Sequence, residues 1–294
     1  MIDPVIFSFT ILGITIALRW YGVLVMTGVM VAAWLSAKEV ARHGENPDHI
    51  WDALVWIVLG GMAGSRIWYV ANATLGGSRY YLDNPLRILN ITEGGLHFYG
   101  ALLFGAAAMF FYARKHKLDL WLFLDSLAPF ILIGQAIARP ANFINQELYG
   151  QPTTLPWGIH IDAAHRIAPY NDLLTYPVEF TRFHPTFAYE MAWNFFAAFA
   201  LLLVARALAE KIRPGVIFYG WLALSGLGRI FIELFRPDQP RIPGTDISIT
   251  SAVAALMLLA GLLLLLDKLE VIRLPFIPKG PDEYRVSVGT KAEG

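Results

Sequence analysis

Apolar residues run in long blocks along the chain, near 20–40, 51–73, 95–113, 121–138, 187–209, 215–235 and 249–267, and the segments between them gather the charges and prolines. A helix that crosses about 30 Å of hydrocarbon needs about 20 mostly apolar residues. The pattern therefore predicts an all-α polytopic membrane protein with seven transmembrane helices. Val5 to Leu18 is also apolar, but Pro4, Gly13 and the β-branched, Ser- and Thr-containing sequence predict a non-spanning, interfacial arm over 1–19. No repeat or inverted symmetry divides the pattern, which reads as one membrane-embedded domain, 1–294. The longest connection, 139–186, is too long for a structureless loop and is expected to form a head with structure or chemistry of its own.

Direction follows from the basic residues. Connections on one side carry thirteen Lys and Arg, including Lys38, Arg42, Arg114, Lys115, Arg206 and Arg213, against eight on the other. The excess marks the cytoplasmic side, so the N-terminus is expected outside, the C-terminus inside and the head in the periplasm. The basic tail, 268–294, reads as a solvated end attracted to anionic lipid. The start, Met1-Ile2-Asp3-Pro4, lacks the features of a cleaved signal peptide.

Composition sharpens this reading. Apolar residues make up 56% and charged residues 16% of the chain, and the mean hydropathy is +0.50. That balance excludes disorder and disfavours a water-soluble globule. Equal numbers of basic and acidic side chains, 23 each, leave no field to attract nucleic acid. The absence of cysteine removes disulfides, thiolate metal sites and a cysteine nucleophile.

Charges inside hydrocarbon are costly and mark candidate sites. Arg66 follows Gly60 and Gly64, which are spaced for close helix approach; it reads either as part of a packing motif or as a substrate-binding group. Glu93-Gly94-Gly95-Leu96-His97-Phe98-Tyr99-Gly100 puts two proton-transfer or hydrogen-bonding groups, His97 and Tyr99, at a helix start, where a histidine cap is the plainer reading. In the run from Arg139 through Pro140, Asn142, Asn145, Gln146 and Glu147 to Gly150, a helical turn opened by Pro140 projects a guanidinium, carboxamides and a carboxylate from one side. Arg grips phosphate oxygens in two-point contact, and carboxamides hydrogen-bond hydroxyls or oxyanions. Arg229, Glu233 and Arg236, before Pro237, share a helix face at i, i+4 and i+7; two guanidiniums for one carboxylate leave a positive charge for an anion. By topology all four clusters fall toward the outer face, where an enzyme or receptor for a phospholipid headgroup is expected.

Taken together, these segments resemble the bacterial phosphatidylglycerol–prolipoprotein diacylglyceryl transferase family. The resemblance extends over Asp3-Pro4-Val5-Ile6-Phe7-Ser8, Arg19-Trp20-Tyr21-Gly22, Gly94-Gly95-Leu96-His97-Phe98-Tyr99-Gly100, Arg139 to Gly150, His184-Pro185-Thr186 with Tyr189-Glu190, and Gly228-Arg229 with Glu233-Leu234-Phe235-Arg236. It implies a seven-span inner-membrane enzyme that moves diacylglyceryl from phosphatidylglycerol to the lipobox cysteine thiol of a preprolipoprotein, releasing glycerol phosphate. It implies roles for Tyr21, Asn142 and Gly150, headgroup binding by Arg139 and Arg229, and carboxylate companions in Glu147 and Glu233; Asn145 and Arg236 are expected beside the substrate. Ala138 and Ala141 stand where the signature has Gly. A histidine proposed in the family as proton acceptor aligns with Tyr99, which leaves His97, a Tyr99 relay or another group as the base. No metal or organic cofactor is expected. The alternatives are a transporter or channel for a small anion, or a seven-helix receptor without catalysis.

Overall fold

The computed structural model describes residues 2–11, 14–90, 94–209, 211–236, 239, 241–245, 247–278 and 280–286, with the side chains of 14–16 and 98 left out. Met1, Gly13, Glu93 and Pro237, named above, lie outside the described residues.

The arm is an antiparallel hairpin, β1 (Val5–Ile11) with β2 (Ile14–Arg19). It is tied back by Trp20 N–H donating to the Pro4 carbonyl at 3.1 Å. The helices that follow are α1 (Trp20–Arg42), α2 (Asp48–Leu75), α3 (Tyr80–Asp83), α4 (Phe98–Lys115), α5 (Leu120–Ala138), α6 (Pro140–Ile144), α7 (Thr186–Ala207), α8 (Val216–Glu233) and α9 (Ile249–Lys268). Each of the seven expected spans coincides with a helix. In lipid every backbone polar group must be satisfied within the segment, and these apolar blocks meet that demand as helices.

Six of them are long and apolar enough to cross a membrane: α1, α2, α5 with α6 as Leu120–Ile144, α7, α8 and α9. The chain is thus a multi-pass membrane protein. The expected third span, α4, is a helix of 18 residues, about 27 Å long at 1.5 Å per residue. Its last turn holds Arg114 and Lys115, so no apolar stretch of that length is clear of charge.

The chain divides into two compact units, one built from residues up to Leu35 with Leu124–Glu283, the other from Ser36–Phe123 with the segment from Tyr284. In the first, Ala128 and Leu132 of α5, Ala197, Ala198 and Leu201 of α7 and Ile217 of α8 form a buried core. Asp125 of α5, itself buried, accepts from the Gly215 and Phe218 N–H groups at 2.5 and 2.7 Å. Those donors open α8 and have no partner within the helix; a carboxylate there also meets the positive end of the helix dipole. The same end holds Arg213 against Glu270 at 2.9 Å, Lys268 donating to the Pro281 carbonyl at 2.6 Å, and the Leu274 N–H on Asp267 at 2.7 Å.

In the second unit, α2 and α4 pack closely. The expected approach at Gly60 and Gly64 is observed: a Cβ at Gly60 would lie 3.0 Å from Ala108 of α4, and one at Gly64 would meet the Gly100 carbonyl at 2.6 Å. Tail residues belong to this unit too. The Arg285 N–H donates to Asp119 at 2.8 Å, and the Tyr284 ring lies 5.1 Å from His43. The described residues of the tail are mostly exposed, and it is held at single points by the acidic groups Asp119, Asp267, Glu270 and Asp282.

Candidate functional site

The site grows from the end of α5. Pro140 lacks the N–H that a first helical position leaves unused and presets its backbone angle, so α6 is one short turn carrying Asn142 inward. Asn142 is buried; its Nδ2 donates to Glu147 Oε1 at 2.9 Å, and Asn145 Nδ2 donates to the same oxygen at 3.2 Å. Arg139 Nη1 lies 3.4 Å from Asn142 Oδ1. Local spacing thus joins the guanidinium, both carboxamides and the carboxylate, as the sequence predicts.

Glu190 of α7 extends this chain to the other helices. Its Oε2 pairs with Arg139 Nη2 at 2.8 Å and its Oε1 accepts from Arg229 Nη1 of α8 at 3.1 Å. Arg229 Nη2 meets Glu233 Oε2 at 3.4 Å and donates to Gln239 Oε1 at 3.2 Å. Glu233 Oε1 accepts from Ser248 Oγ at 2.5 Å, where α9 begins. One continuous network therefore links the C-terminal end of α5, the start of α7, the end of α8 and the start of α9. The Nε atoms of both arginines are buried and, among the described residues, have no hydrogen-bond partner.

Sequence reasoning did not single out Glu190 as a site residue. The signal was available: it is the lone acidic residue in the apolar block of α7, and a charge there needs a partner. It also alters the charge balance expected at Arg229, Glu233 and Arg236, since a second carboxylate now offsets the guanidiniums. Arg236 is buried and lines a cavity of about 220 Å³ with Gln151, Glu233, Gln239 and Ser248.

The head packs beside this network around Tyr149, Ile161, Tyr170 and Phe183. Gln146 fixes it to the site by a paired bond with Asp162, at 2.8 Å to its carboxylate and 2.7 Å from its N–H. Gly150 donates its N–H to the His184 carbonyl at 2.8 Å, and a Cβ there would sit 2.7 Å from the Phe235 carbonyl oxygen and 2.8 Å from His184 Cβ. No side chain fits. Tyr189 Oη accepts from Trp157 Nε1 at 2.8 Å and lies within hydrogen-bond distance of His184 Nδ1, at 3.0 Å. Burial pushes the His184 imidazole below its ordinary range. Tyr21 belongs to the same unit and stands exposed in the first turn of α1.

The other predicted residues lie in the second unit. Arg66 is 7% exposed and donates to four carbonyls: Ile88 at 2.8 Å, Arg87 at 2.7 Å, Gly94 at 3.0 Å and Gly95 at 3.1 Å. His97 precedes α4 without capping it by its side chain; its backbone instead exchanges bonds with Ser65, at 3.2 Å from N–H and 3.0 Å to the carbonyl. Its Nδ1 is buried and, among the described residues, unpartnered, and its ring lies 5.5 Å from that of the exposed Tyr99. No group of three or more His, Asp or Glu suited to a metal occurs among the described residues.

Residues 4–266 match the family model described as prolipoprotein diacylglyceryl transferase. A phosphatidylglycerol–prolipoprotein diacylglyceryl transferase of Chloroflexus aggregans is 38% identical over 81% of this chain and 78% of its own. Proteins of the same name from Nostoc and Enterococcus faecalis are 38% and 30% identical, covering 76% and 95% of this chain and 76% and 96% of theirs.

Proposed function

The chain belongs to the prolipoprotein diacylglyceryl transferase family, and from that premise we propose that its arginine network is the phosphate clamp of the transfer. The enzyme moves the diacylglyceryl group of phosphatidylglycerol to the cysteine thiol of a prolipoprotein, the first step of lipoprotein lipidation. The thiol, with a reference pKa near 8.5, loses its proton to a base. The Sγ–C bond forms at the glyceryl carbon that carries the phosphate ester. As the C–O bond breaks, its electron pair passes to the phosphate oxygen, and glycerol phosphate leaves.

Negative charge grows on that phosphate, and fixed donors aimed at developing charge are the main source of rate in such sites. What supports the clamp is one observation: Glu190 holds Arg139 and Arg229 from two different helices on a single carboxylate, at 2.8 and 3.1 Å. Their orphaned Nε donors are suited to phosphate oxygens. Asn142, Asn145 and Glu147 hold Arg139 in place and offer hydrogen bonds to the glycerol hydroxyls. Glu233 and Arg236 flank Arg229, and Gly150 keeps the head close to this network. Tyr21 is assigned to the substrate through the family resemblance. The base is His97, Tyr99 or another group; comparing His97→Gln with Tyr99→Phe tests the first two, and full activity in both assigns the role elsewhere.

The basic residues at the Arg213 and Lys268 end, opposite the network, support a periplasmic site in a seven-span, N-out/C-in arrangement in the bacterial inner membrane. The anion transporter or channel finds no support among the relatives. Purified protein with labelled phosphatidylglycerol tests the reading: label passes to a lipobox peptide with Cys and not to its Ser counterpart. No transfer to the Cys peptide by folded protein contradicts it.

A further inference from the structure

Beside Arg66 lies a cavity of about 340 Å³, lined also by Tyr69, Ser78, Tyr81, Arg87 and Gly95. The Arg66 guanidinium lies 5.8 Å from the Tyr69 ring centroid and 5.3 Å from that of Tyr81. Among the described residues its hydrogen bonds all go to neutral carbonyls. A buried charge with no counter-charge among the described residues is costly, and four of its five N–H donors are engaged there, which leaves one on Nη2. The segment roofing the cavity, from the end of α2 through α3 to Leu89, points large apolar side chains outward: Leu75, Leu82, Leu86 and Leu89 are 61–86% exposed. This segment continues directly from α2, a helix apolar enough to cross a membrane, so its leucines stand where a span meets the lipid headgroups.

We propose that this cavity is a separate phospholipid site, which holds the phosphate of an anionic headgroup against Arg66, Arg87 and the tyrosine hydroxyls while the acyl chains lie over the exposed leucines. Arg66 has a double task here. Its carbonyl bonds hold the roof in place, and its remaining donor and charge face the phosphate. The choice of phosphatidylglycerol as the headgroup rests on the transferase reading; the need for an anionic phosphate does not.

The chain has no cysteine, so Ser78→Cys carries a single environment-sensitive fluorophore on the cavity wall. Full-length labelled protein in detergent is titrated with short-chain phosphatidylglycerol, short-chain phosphatidylcholine and inorganic phosphate. The expected result is a saturable response to phosphatidylglycerol, at least tenfold weaker for phosphatidylcholine and for free phosphate. Arg66→Gln abolishes it, and Arg87→Gln, which leaves the carbonyl bonds intact, weakens it about tenfold. Equal response to phosphatidylcholine overturns the anionic preference, and equal response to free phosphate overturns the lipid. No saturable response, or an unchanged one in Arg87→Gln, overturns the site. The same titration in an Arg229→Ala background separates the two assignments: transfer is lost there, and the response at Ser78→Cys persists.

Discussion

Glu190 decides what the two arginines do. An isolated guanidinium on a flexible stem loses rotamer freedom when it grips a ligand, whereas Arg139 and Arg229 are already held by a shared carboxylate at 2.8 and 3.1 Å. Glu190→Gln is therefore expected to lower kcat/KM for transfer at least tenfold with the fold intact, and Glu190→Asp to recover part of it. Steady-state transfer kinetics check this, with KM distinguishing lost lipid binding from lost turnover. A second expectation concerns His184, whose buried imidazole resists protonation. The unfolded chain takes up a proton near pH 6.5 and the folded one only below that, so stability rises with pH across this window and is lost as pH falls through it. Thermal unfolding at pH 7.5 and pH 5.5 should show a drop in the wild type that His184→Gln reduces. The grouping of Arg139, Asn142, Asn145 and Glu147 was legible in sequence because the contacts that join them are local. Glu190 was not read as their partner, because that pairing exists only once α7 lies against α5 and α8.

Helix positions followed from hydrophobic blocks alone, since a membrane leaves a long apolar segment no other way to satisfy its backbone. What the blocks did not convey was how the helix ends are held. Asp125 lies in the α5 block; the structure makes it the cap of α8, accepting two backbone N–H groups. Asp125→Ala orphans both donors and is expected to cost about 3 kcal/mol, measurable by unfolding in mixed micelles, with transfer activity per folded molecule retained. Gly150 is the opposite case, a residue whose lack of a side chain is the point. Gly150→Ala pushes against the Phe235 carbonyl and His184, displacing the chain on either side of the network. A large loss of transfer in Gly150→Ala, with little change in membrane insertion, is the expected outcome. In the tail the basic residues are evident in sequence, while the carboxylates that meet it come from distant positions such as Asp119 and from within the tail itself.

Across the molecule, the predicted site residues fall in two compact units. Arg139, Asn142, Asn145, Glu147, Gly150, Arg229, Glu233, Arg236 and Tyr21 are in one; Arg66, His97 and Tyr99 are in the other. Topology had put all four clusters toward the outer face. The structure gives them different work: a charged network shared by four helices, and a guanidinium that clamps a loop beneath exposed leucines. The orientation is open to a direct check, since cysteines introduced singly at Leu174 in the head and Arg273 in the tail should react with a membrane-impermeant maleimide from opposite sides of the bilayer, the head from outside.

In the proposed transfer, Arg139 and Arg229 together stabilise charge on the departing glycerol phosphate. Single-turnover transfer from labelled phosphatidylglycerol to a lipobox peptide, by Arg139→Ala, Arg229→Ala and the double variant in folded, membrane-inserted form, tests it most directly. The expected losses are about 10²–10³ for each single variant, with little further loss in the double, because the pair acts as a unit through Glu190. Wild-type rates in either single variant would contradict it.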